Sequence, residues 1–362
     1  MKCRFCNNET ALFLDMRHIP VSVTSDCRVV NIGFALYKCN NCSLIQKDSN
    51  IDVQQNYFNE FKSFSLSFGQ EQVKFIDSVP YPRSQLILNS LKEYIPQKGS
   101  ILDIGTGSGS FLRSFQKLFS LWHLYAQDIQ ANSLQNLLEI TDKDKIHIGE
   151  IKEIDEKFDL ISLIHVLGHI AHLREFLSDL KRLSHTDSKL IIQTPDLESG
   201  FFDVVIIDQI NHFSASSLKN IVSCEFEDIS FFNALDRELT LGINIKERNA
   251  RNIVGFEKEI EKKKESFRDF IEYLHVSKES FAVLGSAPAS TYIAAVLKNR
   301  ALYFVDEDKT KTGKIHLNKE IKSLRDVKKE KIILPFLQKD IIEDIKGRNP
   351  SLNFISYMDI VI

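Results

Sequence analysis

The run ILDIGTGSGSFL, residues 101–112, constrains the fold of this chain more than any other stretch. Apolar strand-like residues lead to Asp103. Gly105, Gly107 and Gly109 follow, and then an apolar helix start. Glycine adopts positive φ and lets a ligand come close to the backbone, while the first turn of the following helix offers unpaired N–H groups. A turn of this kind carries weight only through its surroundings. Here the next apolar run, LWHLYAQ, ends at Asp128, about where an acidic side chain meets a ribose diol. From Ser100 to about Ser230 the runs ILDIG, LWHLYAQ, DKIHI, DLISLIH and KLIIQT alternate with amphipathic segments. That alternation predicts an α/β fold, a mostly parallel sheet flanked by helices.

At 362 residues the chain has room for two to three domains. Cys3 and Cys6 form one C-x2-C pair, and Cys39 and Cys42 form another, with 32 residues between the pairs. Two such knuckles can close a tetrahedral thiolate shell around zinc, with no open position for chemistry. A structural ion would stand in for the core that a small segment of short strands and turns lacks. We therefore expect a zinc-ribbon-like domain over 1–55. The glycine-turn domain then runs over 56–244, opened by the aromatic and serine-rich stretch Asn56–Phe68 and a helical pattern ending near Tyr94. Over 245–279, Phe256, Ile260, Phe267, Phe270, Ile271 and Leu274 recur at helical spacing, which predicts a charged linker helix. The last unit, 280–362, reads as a second small Rossmann-like α/β domain. Its strands are FAVLG, ALYFV ending at Asp306, and KIILPF.

Composition narrows the partners. With 46 Lys+Arg against 49 Asp+Glu, a net charge of -3 gives no basic surplus to hold nucleic acid. No apolar run approaches the roughly 18 to 20 residues of a membrane span, and no signal-peptide core follows Met1. The expectation is a cytoplasmic protein with a small-molecule substrate, no nucleic-acid or membrane partner, and an oligomeric state that the sequence leaves open.

The glycine turn and Asp128 resemble those of class I S-adenosylmethionine (SAM)-dependent methyltransferases. That resemblance implies SAM as cofactor, with Gly105, Gly107 and Gly109 forming the turn beneath it and Asp103 at its amino acid end. It also implies Asp128 and the adjoining Ile129 at the ribose, Glu150 near the adenine, and His165 in the loop after the fourth strand.

A wider resemblance covers nearly the whole chain. The cysteine pairs with LYKCNNCSLIQ, the aromatic stretch after them, VLGHI with His169, and the last unit together resemble bacterial C-methyltransferases of nucleotide-activated deoxysugars. In that unit Ala287, Pro288 and Ala289 match the family's A-P-A, Ser290 replaces its Lys, and Asp306, Lys311 and Gly313 keep its spacing. The family draws its base from F-D-x-x-Y-H-E-H-x-x-Y-F-S. This chain has FDVVIIDQINHFS, with Ile206 and Ile207 for the first Tyr and His, Asp208 for Glu, Gln209 for the base His, and His212 for the later Tyr. A carboxamide cannot take up a proton at useful pH, so the family base is absent.

The expected catalytic residues are accordingly His212, His169 and Asp208, a histidine oriented by a carboxylate. His172 and His185 are read as surface residues. A sugar methyltransferase of surface glycan or secondary metabolite synthesis is expected, with oxygen favoured over carbon as the acceptor. A sugar C-methyltransferase with a relocated base, an RNA methyltransferase and a decayed cofactor binder remain as alternatives.

Overall fold

The computed structural model describes residues 1–48, 71, 73–76, 79–245 and 258–360. The aromatic stretch Asn56–Phe68 and the helical position Phe256 lie outside them. The first segment forms β1 (Thr10–Asp15), β2 (Ala35–Cys39) and β3 (Ile45–Lys47), antiparallel neighbours in that order. A fourth strand is added from far along the chain, Asn211–His212 pairing with β3.

The central unit begins with α1 (Arg83–Ser90) and β4 (Gly99–Ile104) and continues with α2 (Ser110–Leu118) and β5 (Trp122–Asp128). Next come β6 (Ile146–Ile148), β7 (Phe158–Ile164), α3 (Leu173–Arg182) and β8 (Ser184–Pro195). The unit closes with α4 (Ala215–Val222), β9 (Asp228–Phe232) and β10 (Glu238–Asn244). The sheet order is β6-β5-β4-β7-β8-β10-β9, with β10 antiparallel to both its neighbours and the other pairs parallel. Ile101, Leu102, Leu160, Ile161 and Leu163 are buried, as expected of strands covered on both faces. In α3 the buried Leu173, Leu177 and Leu180 recur at helical spacing and seat one stripe on the sheet.

A second sheet follows α5 (Lys258–Val276). It is built from β11 (Phe281–Leu284), α6 (Pro288–Leu297), β12 (Ala301–Asp306), β13 (Ile315–His316) and β14 (Lys319–Ser323), then β15 (Lys331–Ile333), α7 (Lys339–Arg348) and β16 (Asn353–Ile355). Its order is β13-β14-β12-β11-β15-β16, and every pair except β13 with β14 is parallel.

Two expectations change. The first segment is not a coreless ribbon: Met16, Ile19, Val23 and Leu36 are buried in one apolar cluster with Phe201, Val204, Phe267, Phe281 and Tyr292. Nor is α5 a bare linker. Its Phe267 ring lies 5.7 Å from that of Phe201 and 5.2 Å from that of Phe202. Each short element has too little apolar surface to bury alone, so the three regions share a core.

In each parallel sheet the order reverses once, beside β4 and β7 in the first and beside β11 and β15 in the second. Such reversals open a crevice at the carboxyl ends of the strands, where ligands of open α/β sheets bind. The two crevices contribute to one cavity. Among the described residues no helix is long and apolar enough to cross a membrane.

Candidate active site and cysteine cluster

A cavity of about 1390 Å³ runs from the turn after β4, past the loop after β7, to the turns after β11 and β15. Gly107 has φ +51°, and a Cβ there would meet only the Gly105 carbonyl, at 4.0 Å, so the backbone lies bare to the cavity. Its N–H donates to Asp128 Oδ2 at 2.9 Å, and Gln130 N–H donates to Oδ1 at 3.0 Å. Burial raises the Asp128 carboxyl above its usual range. Gln127 braces the turn, accepting from Gly105 N–H at 3.2 Å and donating to the Gly149 carbonyl at 2.6 Å.

Of the expected cofactor residues, Gly105, Gly107, Asp128, Ile129, Glu150 and His165 line the cavity. Asp103 and Gly109 do not. A Cβ on Gly109 would lie 2.5 Å from Ile140 Cδ1, so this glycine serves the packing of the helix start. Asp103 lies beneath the turn, opposite Ser162 across the sheet, and accepts from its hydroxyl at 2.6 Å.

Burial pushes the Asp103 carboxyl up to about 7. Its folded value therefore exceeds the ordinary 3.8, the native state holds the proton more tightly, and stability falls as pH rises between the two. Asp103→Asn keeps a neutral acceptor for Ser162. We expect denaturant midpoints at pH 5 and pH 8 to differ less in this variant than in the parent, by up to a few kcal/mol in stability. Equal pH dependence in both would contradict the assignment.

The expected catalytic residues divide. His169 and Asp208 meet: the His169 Nδ1 lies 3.0 Å from the Asp208 main-chain carbonyl and 3.4 Å from its Oδ2. A carbonyl only accepts, so in the neutral ring Nδ1 carries the proton and Nε2 is the acceptor nitrogen. His169 lines the cavity, and burial, the dominant cause, lowers its pKa from the ordinary imidazole value. Asp208 is fully buried, accepting from Ser25 N–H at 2.8 Å and from the Ser25 hydroxyl at 2.6 Å.

The structure does not bring His212 to this cavity. It is a strand residue paired with Ile45, its Nε2 is buried without a hydrogen-bond partner among the described residues, and burial lowers its pKa well below the ordinary imidazole value. Gln209 does reach the cavity wall. His172 is exposed but lies at the cavity rim, and His185 is an exposed residue paired with Asp159 at 3.2 Å.

Other cavity residues carry no motif. Arg83 from α1 donates to Glu238 Oε1 at 2.7 Å, and its guanidinium also lies 2.8 Å from His165 Nε2. The Glu238 Oε2 lies 3.1 Å from the same His165 nitrogen. Asp203, which burial pushes up to about 6, faces the same space. On the far wall stand Gly285, Ala287, Pro288, Ala289 and Ser290 after β11, and Phe336 and Gln338 after β15. Behind this wall Asp306 Oδ2 accepts from the Ser286 hydroxyl and from Lys311 Nζ, each at 3.1 Å.

Apart from the cavity, the sulfurs of Cys3, Cys6, Cys39 and Cys42 all lie within 4.8 Å of one another. Three pairs are 3.6, 3.4 and 3.7 Å apart. Thiolates about 2.3 Å from a tetrahedral zinc stand roughly 3.8 Å from each other, so the four residues fit a metal of that kind.

Residues 80–237 match the family model described as a methyltransferase domain, and the SAM-type turn, acidic strand end and crevice lie within that span. These residues therefore form a SAM-dependent methyltransferase domain. Among curated proteins it is similar to the ribosomal protein L11 methyltransferase of Aquifex aeolicus (strain VF5), 27% identical over 110 residues, covering 28% of this chain and 44% of the relative. The protein of the same name from Lactobacillus johnsonii is 27% identical over 159 residues, covering 39% of this chain and 49% of the relative. The chain thus spans about half the length of these relatives. Among solved structures, human N-acetylserotonin methyltransferase in complex with SAM aligns with TM-score 0.39 and 12% identity, covering 45% of this chain and 51% of that one.

Proposed function

We propose that this protein transfers the SAM methyl group to a sugar, carried on a nucleotide, with a hydroxyl oxygen as the preferred acceptor. One observation carries the reading: two switch-point crevices, from two different sheets, open into a single cavity with His169 on its wall. The first crevice suits the cofactor and the second suits a separate ligand. Bacterial surface glycan or secondary metabolite synthesis is the setting that the resemblance implies, and zinc is the ion we assign to the four cysteines.

The cofactor supplies an electrophilic methyl group when bound. Asp128 would take its ribose hydroxyls, the bare Gly107 backbone would pass beneath it, and His165 and Glu238 border the space toward the acceptor. His169 Nε2 would receive the acceptor's proton, with Asp208 holding the ring from its Nδ1 side. Attack by a hydroxyl loses its proton late, so alignment supplies much of the rate and a neutral imidazole is base enough. Carbon attack needs an enolate, and Gln209 supports no such proton abstraction.

The names of the curated relatives motivate a second reading, a protein acceptor. Their matches cover only 28% and 39% of this chain, however, and a wall made from the second sheet favours a small acceptor. Incubation with labelled SAM separates the readings. Label is expected on a nucleotide-linked sugar and not on ribosomal protein or RNA; the reverse would overturn the sugar assignment.

Asp128→Ala is expected to weaken S-adenosylhomocysteine binding by about 10- to 150-fold, because a charged acceptor typically contributes roughly 1.5 to 3 kcal/mol. Titration calorimetry gives the number. Unchanged affinity would remove Asp128 from the cofactor site.

A further inference from the structure

Lys47 is an anomaly. At the end of β3 its side chain is wholly buried, 1% exposed, and its acceptors among the described residues are backbone carbonyls. Burying an ammonium costs several kcal/mol unless its hydrogen bonds are well made, so its placement calls for a purpose. Its Nζ donates to the carbonyl of Ile206 and, at 2.9 Å, to that of Gln209. Those two carbonyls bracket the turn that carries Asp208, and Gln209 N–H closes the same turn onto Ile206 O at 3.2 Å. The ammonium also lies 5.7 Å from the centroid of the Phe34 ring.

The rest of the first segment grips the same turn. Lys47 N–H donates to Ile210 O at 2.9 Å, Ile207 N–H donates to Val23 O at 2.7 Å, and Ser25 gives both of its donors to the Asp208 carboxylate. Lys47 is itself tethered near the thiols: Arg4, between Cys3 and Cys6, donates from NH1 to the Lys47 carbonyl at 2.7 Å. The chain from the cysteine knuckle to the cavity is therefore Arg4, Lys47, the turn 206–209, Asp208, His169. Each link is a hydrogen bond or a covalent backbone step.

We propose that Lys47 and Ser25 are positioning residues, through which the cysteine-bearing segment fixes Asp208 against His169 and selects the imidazole tautomer that accepts a proton. The inference rests on the reading of His169 as base. Lys47 holds the backbone, since losing its ammonium would leave two buried carbonyls short of a donor and free the turn to shift. Ser25 holds the carboxylate. With the carboxylate out of place, the Asp208 carbonyl at 3.0 Å is left as the acceptor for Nδ1, and the preference for the Nδ1-protonated tautomer over the Nε2-protonated one weakens, as a ring nitrogen's state follows the bond made by the other.

The test is a nitrogen-15 NMR measurement of His169 in the full-length protein saturated with S-adenosylhomocysteine, with the parent, Lys47→Met and Ser25→Ala compared. The parent is expected to show a single tautomer, protonated at Nδ1. Both variants are expected to lose it, giving a mixture or the Nε2-protonated form, while S-adenosylhomocysteine affinity stays within about twofold, since Ser25, although it lines the cavity, and Lys47 direct their side-chain hydrogen bonds to the 206–209 turn and not to the turn at 105–109. Should Lys47→Met fail to fold, Ser25→Ala decides alone, because it removes one hydroxyl and keeps the backbone donor. A parent already protonated at Nε2 would overturn the base reading itself. A parent protonated at Nδ1 with Ser25→Ala unchanged would overturn the positioning role and leave the base reading standing.

Discussion

His169→Ala is expected to lower kcat for methyl transfer by about 10²- to 10⁴-fold, the usual worth of a positioned general base, with S-adenosylhomocysteine affinity nearly unchanged. The two readouts separate because His169 lies on the cavity wall apart from the turn that carries Gly107 and the strand end that carries Asp128. The pH profile adds a second signature. Burial lowers the pKa of His169, so the neutral ring persists below the ordinary 6.5, and the acid limb of the rate should fall beneath that value. His212→Asn should have no comparable effect on the rate. Its ring is buried in a strand, and its depressed pKa makes it a stability group whose contribution is present above about 6.5 and lost as the pH falls. A large rate loss in His212→Asn with His169→Ala silent would exchange their roles.

Loss of the zinc proposed for the four cysteines is expected to have the second large effect. One equivalent of zinc is expected by elemental analysis, and Cys39→Ser or strong chelation should disorder the first segment, since structural zinc contributes roughly 10 to 16 kcal/mol of apparent binding energy to small folds. The damage should extend further than a free-standing ribbon would allow. The strand Asn211–His212 pairs with β3, and Met16, Ile19 and Leu36 share a core with Phe201 and Phe267. Methyl transfer should therefore fail while the cofactor domain retains its affinity for S-adenosylhomocysteine. Metal-free protein with an ordered first segment and full activity would remove zinc from the account.

The parts of this molecule that were legible in the sequence are those governed by local rules. The five parallel strands announced themselves as short apolar runs, and the turn after β4 by glycines with positive φ. The four cysteines did so by two C-x2-C pairs, whose sulfurs the fold brings within 4.8 Å of one another. His169 and Asp208 could be singled out by chemistry and resemblance, 39 residues apart, and the fold brings them within hydrogen-bond reach.

What escaped depends on long-range pairing. His212 was expected at the site because it stands four residues from Asp208, but a strand alternates its side chains. Register with Ile45 turned this one inward, to a place no local pattern reveals. The strand β10, antiparallel between β8 and β9, was not anticipated, and with it Glu238, whose partners Arg83 and His165 lie 155 and 73 residues away. Lys47 gave no signal either. A lone lysine among polar residues reads as surface, and only the arrival of the carbonyls of Ile206 and Gln209 accounts for its burial. Asp103 shows a third kind of failure: the motif was found, but the side chain faces Ser162 beneath the turn instead of the cavity.

The most direct test of the central claim is a methyl-transfer assay with labelled SAM, the parent and His169→Ala run side by side against a panel of nucleotide-linked sugars, ribosomal protein and RNA, with products identified by mass. The account predicts a nucleotide sugar heavier by one methyl group on oxygen, formed by the parent and nearly absent with His169→Ala, although both proteins bind S-adenosylhomocysteine alike. Label appearing only on protein or RNA, or equal sugar methylation by the two proteins, would contradict it.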